Sequence, residues 1–183
     1  MSRRAYAERV VAAPTGAEQA EDTAKAMAYV RAHLREEFTD DDVREAWEWR
    51  AAIDTGRLGP YMVTLDHTAV LALCRGHRLV SGLAVVEAEI RSSARVPALC
   101  LVAAGLEHPG VAAHVGALPG LEFLPLDFAG AAAVEQLAAA WMKWPCVHAV
   151  CATASDGVEG QILTARPEAD DGTGVWAVDI GQP

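Results

Sequence analysis

The sequence predicts an α/β or α+β fold, with a single mixed sheet flanked by helices and a two-helix segment at the N-terminus. Three observations favour this class. The first third of the chain repeats its apolar residues at helical spacing, the middle changes to runs rich in Val and Leu, and the last part alternates such runs with helical stretches. At 183 residues the chain has the length of one domain, residues 1–183, with a helical segment at 15–55 and the sheet at 60–183.

Two helices are predicted in the N-terminal segment, after a short strand at residues 6–12. Residues 16–38 carry the first helix, because their apolar side chains recur at steps of three and four: Met27, Val30 and Leu34. Thr39 can cap a second helix, and the three following aspartates favour its positive end. This helix is expected to run to about Asp54 and to end at Gly56.

The remaining elements are predicted from runs of strand-forming residues and the turns between them. Strands are expected at residues 61–65, 69–74 and 79–90, with a hairpin turn at Arg75-Gly76-His77. Beyond Pro97 the pattern predicts a strand at 98–103, a helix at 109–118, a strand at 121–126, a helix at 129–143, a strand from Cys146, a turn at Asp156-Gly157 and a last strand at 174–180.

The charge pattern argues against nucleic acid and membrane surfaces as partners. The formal net charge is −10, and no Lys or Arg occurs between Arg95 and Lys143. Binding to phosphate backbones or anionic lipid needs clustered basic residues, because the release of counterions supplies most of the sequence-independent affinity. We therefore expect no partner of either class.

The chain is predicted to be cytoplasmic. Its basic start is followed by Glu8 and Arg9, where a signal peptide would carry its apolar run. Prolines and glycines interrupt every stretch that could approach the roughly 18 apolar residues of a membrane span. The cysteines are then expected to be reduced and buried rather than paired: Cys74, Cys100, Cys146 and Cys151.

Residues 144–157, WPCVHAVCATASDG, hold the densest set of possible metal ligands. In a strand, Cys146 and His148 share one face and Cys151 lies on the other, so the two cysteines cannot share a metal ion or a disulfide. Only Cys74 and His77 of the predicted turn could complete a four-ligand site. Because no Cys-x-x-Cys pair is present, we expect neither a metal nor a cofactor, and a buried strand is the simpler interpretation.

Two pairs of polar residues could carry chemistry. Asp66 and His67 could form part of a general base with His77 or Glu87 nearby, but neighbouring strand residues point to opposite faces. Glu87 and Glu89 share a face of their predicted strand, where they could bind a divalent cation or divide acid and base roles. Polar turn residues and a solvated strand edge are the simpler interpretations, so the sequence assigns no catalytic residue.

Residues 75–87, RGHRLVSGLAVVE, have the rhythm of a hairpin, and a glycine-rich passage, AGLEHPGVAAHVGALPG, follows a predicted strand and enters a helix. With the order of the predicted elements, these features resemble the acyl-CoA-dependent N-acetyltransferase family. The resemblance implies an enzyme that holds acyl-CoA by a pyrophosphate loop at the helix start. The chain has Glu107-His108-Pro109-Gly110 there, so the alternative function is an acyltransferase with an atypical phosphate loop.

Five tryptophans stand out among few aromatic residues. Trp47 and Trp49 are expected on different sides of the second helix, whereas Trp141 and Trp144, three residues apart, share a face. Exposed tryptophan is enriched where proteins dock on one another. The favoured interpretation is therefore a non-catalytic cytoplasmic binding or protein-interaction domain, with a protein partner (self or other) and the acidic helical N-terminal segment as the contact surface.

Overall fold

A computed structural model describes residues 16–33, 38–56, 62–90, 92–137, 144–154, 160–170 and 175–181. It has a single five-stranded sheet in the order β3-β2-β1-β4-β5, and every neighbouring pair of strands is parallel. The α/β class is therefore confirmed, but the sheet is parallel rather than mixed. Its strands are β1 (Met62–Leu65), β2 (Ala94–Pro97), β3 (Leu121–Leu124), β4 (Gly160–Thr164) and β5 (Trp176–Asp179).

Eight helices accompany the sheet in the described ranges. They are α1 (Gly16–His33), α2 (Asp40–Gly56), α3 (His67–Cys74), α4 (Arg78–Glu89), α5 (Ala98–Glu107), α6 (Val111–Val115), α7 (Phe128–Leu137) and α8 (Trp144–Ala154), with a 3-10 turn at Pro167–Asp170. Helices α1 and α2 match the predicted N-terminal pair, and α6, α7, β3 and β5 match predicted elements with shorter bounds.

Helices cover both faces of the sheet. Alternate residues of a strand face opposite sides, so Val63 and Leu65 point one way from β1 and Thr64 the other. Val63 and Leu65 belong to the main core with residues of α3 and α4. Thr64 lies under α8, where the hydroxyl of Thr153 donates a hydrogen bond of 2.8 Å to its Oγ1. Strands buried on both faces explain why the sequence shows apolar runs rather than clean alternation.

The two predicted strands that follow β1 are helices, and this prediction was wrong. Residues 69–74 lie in α3 and residues 79–90 lie mostly in α4. Nine consecutive residues of α4, Val80 to Ala88, are buried, and so are six of α3. A helix buried on all sides shows the same continuous apolar run as a buried strand, so hydrophobic periodicity could not separate them. The turn between them, at Gly76 with φ 77°, joins two helices and not a hairpin.

Two further strand predictions were also wrong. The strand expected at 98–103 is α5, which begins after Pro97, and the strand itself is the preceding β2. The sulfur-bearing strand expected from Cys146 is α8. Helices thus lie in the connections from β1 to β2, from β2 to β3 and from β3 to β4, as crossovers in parallel sheets require. The strand expected at 6–12 and the turn at Asp156-Gly157 lie outside the described residues.

The N-terminal helices pack on α4. Phe38 and Ala26 form a small second core there with Val85 and Ala88 of α4. The start of α2 lies where it was predicted, but the direction of the side-chain contact is reversed. The carboxylate of Asp42 accepts hydrogen bonds from the Thr39 backbone N–H (2.7 Å) and hydroxyl (2.8 Å). Burial opposes ionisation of Asp42, but these bonds and the charge of Arg78 outweigh it and lower the pKa of this carboxyl.

A buried ion pair also joins α2 to α4. Arg50 Nε lies 3.0 Å from Glu87 Oε1, and the two side chains are only 5% and 1% exposed. At the other end of the contact, Arg78 Nη1 lies 3.5 Å from Asp42 Oδ1. The attachment of α2 to the rest of the fold therefore combines small apolar contacts with one fully buried ion pair and a second pair in which Asp42 is buried and Arg78 is half exposed.

No single helix in the described ranges is long and apolar enough to cross a membrane. Helices α3 and α4 reach the necessary length and composition only as a pair, across a bend of 92°. Both contribute mostly buried residues to the protein core.

Replacing Gly82 with alanine is expected to loosen the contact between α2 and α4. A Cβ at this position would lie 2.8 Å from the Cβ of Ala46 and 3.1 Å from the carbonyl oxygen of Asp42. Gly82→Ala should therefore lower the free energy of unfolding by about 1–3 kcal/mol, as overpacking does. Gly105→Ala is the matched control, because no atom lies within 4 Å of a Cβ there. It should stabilise α5 by up to about 1 kcal/mol. Urea unfolding measures both, and equal effects would contradict the close packing at Gly82.

Candidate functional site

The strands β1 and β4 are neighbours, and the chain leaves them in opposite directions across the sheet. It proceeds from β1 to β2 and β3 on one side, then returns to add β4 and β5 on the other. In open parallel sheets, ligands bind outside the carboxyl ends of the strands at such a switch point. The residues that follow β1 and end β4 are Asp66 and Thr164. The carboxyl edge at β1 and β4 is therefore where the fold favours a binding site.

Asp66 is buried, with an exposed fraction of 2%, and its carboxylate is fully engaged. Oδ1 accepts hydrogen bonds from the Thr68 hydroxyl (2.7 Å) and from the Ala69 backbone N–H (2.8 Å), which makes Asp66 the N-cap of α3. Oδ2 accepts a bond of 2.8 Å from the hydroxyl of Thr164. One carboxylate therefore joins β1, α3 and β4.

The loop after β4 is fixed by the same two threonines. The backbone N–H of Ala165 donates to Thr68 Oγ1 over 2.7 Å, and the N–H of Arg166 donates to Thr164 Oγ1 over 3.0 Å. Each hydroxyl thus donates to Asp66 and accepts from the loop. We name Asp66, Thr68 and Thr164 the threonine latch, because their hydrogen bonds close the switch point from within the chain.

His67 stands beside the latch without joining it. Its Nδ1 lies 3.9 Å from Asp66 Oδ2, and its Nε2 lies 3.8 Å from Glu107 Oε1. Both distances exceed hydrogen-bond length, so neither carboxylate orients the ring directly. Glu87, considered from sequence as a partner for Asp66 and His67, instead faces Arg50 on α2. The structure does not assemble these residues into a general-base arrangement.

Glu87 and Glu89 do not form a pair either. They lie on a helix, where residues two apart point in nearly opposite directions, and not on one strand face as expected. Glu87 is buried against Arg50, whereas Glu89 accepts a hydrogen bond of 3.0 Å from the indole Nε1 of Trp47. Each acid is engaged by α2, so the proposed shared cation is not supported.

The four candidate metal ligands do not converge. Cys146 and His148 point to different sides of α8, while Cys74 and His77 lie at the end of α3 and before α4. Within the described ranges, no group of three or more His, Cys, Asp or Glu residues is placed to hold a metal ion. None of the four cysteines is in a disulfide. Burial raises the pKa of the Cys151 thiol and raises that of Cys74 to about 11.

His148 belongs instead to the carboxyl edge. It is buried at the start of α5, where its Nδ1 accepts a hydrogen bond of 3.2 Å from the backbone N–H of Leu99. Burial lowers the pKa of His148, although the nearby charge of Asp127 opposes the shift. Asp127 follows β3 and accepts a bond of 2.7 Å from Gly130 N–H. Its place after a predicted strand was the signal that could have identified it from sequence.

Acid should destabilise the fold through His148. The folded state holds the pKa of His148 below its ordinary value of 6.5, so the unfolded state binds more protons as the pH falls below that value. Stability is thus fully present above about pH 6.5 and declines through the acidic range below it. His148→Gln keeps an acceptor for the Leu99 N–H but cannot be protonated, so its stability should change less between pH 7 and pH 5. Urea unfolding at each pH measures this, and parallel profiles for both proteins would contradict it.

The glycine-rich passage supplies turns and not a phosphate cradle. Gly110, with φ 95°, precedes the five-residue α6, and Gly120, with φ 82°, precedes β3. A Cβ at Gly120 would overlap the carbonyl oxygen of Ala84, so glycine is needed for the close approach to α4. These backbone requirements account for two of the glycines that suggested a phosphate loop.

The carboxyl edge therefore holds a buried carboxylate closed by two threonines, an imidazole bound to the start of α5 and an exposed aspartate after β3. The hydrogen bonds of these groups are made to other residues of the protein. Comparisons of the chain with known protein families, with curated protein sequences and with solved structures found no significant match.

Proposed function

We propose that this protein is a non-catalytic cytoplasmic binding domain that docks on another protein through its acidic helical N-terminal part. The observation that carries the proposal is an apolar centre at the surface between α2 and α4. Trp47 of α2 and Ile90, just after α4, are each 37% exposed. We name Trp47, Glu48, Glu89 and Ile90 the Trp47 surface.

The Trp47 ring is held in place before any partner arrives. Its Nε1 donates a hydrogen bond of 3.0 Å to Glu89 Oε2, which ties α2 to the end of α4. A tryptophan already ordered at a surface loses little conformational freedom on binding, and tryptophan is the commonest energetic centre of protein interfaces. An ordered, one-third exposed ring is thus suited to docking.

The surroundings of Trp47 are acidic. Asp41, Glu45 and Glu48 lie exposed along α2, and Arg44 pairs with Asp41 (2.7 Å) and approaches Glu48 (3.8 Å). An apolar centre within a charged rim is the usual anatomy of a protein interface, and complementarity then favours a basic partner. The net charge of −10 acts in the same direction over longer distances.

The environments of Asp66 and Cys74 support a non-catalytic role. Both carboxylate oxygens of Asp66 accept hydrogen bonds from donors within the protein. The Cys74 thiol, with its pKa raised to about 11 by burial, is protonated near neutral pH and is therefore a poor nucleophile. A cytoplasmic location is supported by four cysteines outside any disulfide, which suit a reducing compartment.

The test is affinity capture from extract of cells that naturally contain the protein, followed by binding measurements with each purified candidate. Wild type, Trp47→Ala and Trp176→Ala serve as baits. Trp176 is the matched control, because it is 58% exposed on β5, away from α2. A true partner should be lost with Trp47→Ala, retained with Trp176→Ala and bound more weakly at higher salt.

The purified partner should lose at least about tenfold in affinity for Trp47→Ala, as truncation of an interface centre does. Light scattering of the isolated protein distinguishes a second copy from a different partner. If the same proteins bind wild type and Trp47→Ala equally, and neither self-associates, the Trp47 surface is not the contact surface.

The acyltransferase alternative has lost one of the features that suggested it. The segment taken as the family's second hairpin, residues 75–87, forms a turn and most of α4. We expect acetyl-CoA at saturating concentration to leave the melting temperature unchanged. A ligand that binds the folded state must raise it, so a concentration-dependent increase would restore the enzyme hypothesis.

A further inference from the structure

A cavity of about 300 Å³ opens between the end of α3 and the segment that carries α6. It is separate from the Trp47 surface, which lies on α2 and α4. Its inner wall is apolar and buried, whereas its rim is exposed and carries nitrogen groups. The residues that matter here are Leu71, Cys74, Arg75, His108, Val111 and His114.

We propose that this cavity binds a small organic anion, with its apolar part against Leu71 and Val111 and its charged group at Arg75. Both apolar residues are buried, at 4% and 2% exposure, and form the inner end. Ligand pockets combine such apolar walls with a few polar groups that fix orientation. The two parts of the cavity thus match the two ends of an amphiphilic anion.

Arg75 supplies the charge for this recognition. Among the described residues no carboxylate forms an ion pair with its guanidinium, although the protein has an excess of acids. Glu107, which precedes the lining residue His108 in sequence, approaches His67, with 3.8 Å between its Oε1 and the imidazole Nε2. A guanidinium offers a planar fork of donors that suits a carboxylate or phosphate group.

The neighbouring groups agree with an anionic ligand. His108 and His114 place imidazole rings in the lining, and an imidazole has at least one N–H donor in any protonation state. Burial raises the pKa of the Cys74 thiol to about 11, against the opposing charge of Arg75. The thiol is therefore neutral, so it adds no repulsion and forms no covalent bond to the ligand.

The volume limits the ligand. About 300 Å³ is the lower end of the range for small-molecule sites, so the cavity suits a ligand with a single ring or a short apolar chain. The ligand class is therefore a small carboxylate or phosphate monoester with an apolar body.

Titration calorimetry with three probes of matched shape tests the proposal: benzoate, benzamide and benzylamine. Benzoate should bind with a Kd of about 1 mM or tighter, and benzamide at least about tenfold more weakly. Benzylamine should give no heat of binding. Phenyl phosphate then compares the two anionic head groups in the same cavity.

Arg75→Gln should weaken the binding of benzoate about tenfold and leave the binding of benzamide unchanged. Arg44→Gln is the control, since it removes the same charge from the exposed face of α2. NMR spectra provide a second measurement on wild type, in which benzoate should shift the backbone amide signals of Val111 and His114. The proposal is overturned if benzoate does not bind, if it binds no better than benzamide, or if the moved amides lie elsewhere. Loss of Trp47-dependent docking would leave this result unaffected.

Discussion

Glu87→Gln is expected to lower the free energy of unfolding by about 3–5 kcal/mol, the usual cost of leaving a buried charge without its partner. Arg50 is 5% exposed and lies 3.0 Å from Glu87 Oε1. With glutamine opposite, the guanidinium stays charged but loses the attraction of the Glu87 carboxylate, and little water reaches it. The cost falls on the contact between α2 and α4, so the Trp47–Glu89 hydrogen bond should weaken as well.

Urea unfolding followed by circular dichroism and tryptophan fluorescence measures this effect. Arg50→Met combined with Glu87→Met removes both charges and should recover most of the loss, because apolar replacements of a buried pair are often neutral or stabilising. Arg44→Gln breaks the exposed pair with Asp41 and should cost less than about 1 kcal/mol. If Glu87→Gln costs no more than Arg44→Gln, water must reach the pair and α2 is not fixed by it.

Local signals in the sequence predicted the elements whose environment is asymmetric. Helices α1 and α2 have one face on α4 and one in water, so their apolar spacing shows the helical period. Thr39 and Asp42 could be identified as a helix start because a cap involves residues three apart. The strand β3 lies at an edge of the sheet; its start after Gly120 was predicted, whereas its end was placed two residues beyond the observed end at Leu124.

The central helices could not be predicted in this way. In α4, Val80 to Ala88 are buried on every side, against the sheet, α3 and the N-terminal helices. A continuous apolar run contains no period, so it fits a strand or a helix equally well. The sign of α4 that was available is composition: serine, glycine and alanine recur in residues 81–88, which allows the close approach seen at Gly82.

The candidate site was located in part. Asp66 and His67 stood out as polar residues after a strand, but the role of Asp66 depends on Thr164, which is 98 residues away in sequence. The strand order that makes β1 and β4 neighbours cannot be inferred from spacing alone. The same holds for Arg50 and Glu87, because only the packing of α2 on α4 brings the two charges together.

Asp66→Ala is expected to lower the free energy of unfolding by about 3 kcal/mol, since it removes a helix cap and two further bonds to a charged acceptor. The hydroxyls of Thr68 and Thr164 and the N–H of Ala69 would lose their acceptor in a buried site. Thr164→Val, which deletes a single latch bond while keeping shape, should cost less. Hydrogen exchange should accelerate first at Ala69 and at the loop after β4.

Asp127→Ala is the matched control for Asp66→Ala. Asp127 also follows a strand and accepts a bond from the third residue onward, Gly130, but it is exposed and makes one such bond. Asp127→Ala should lower the free energy of unfolding by about 1 kcal/mol. If Asp66→Ala were as mild, or raised stability, the latch would not hold the switch point closed. A buried carboxylate kept without benefit to stability would then indicate a functional demand on it, and the non-catalytic assignment would have to be abandoned.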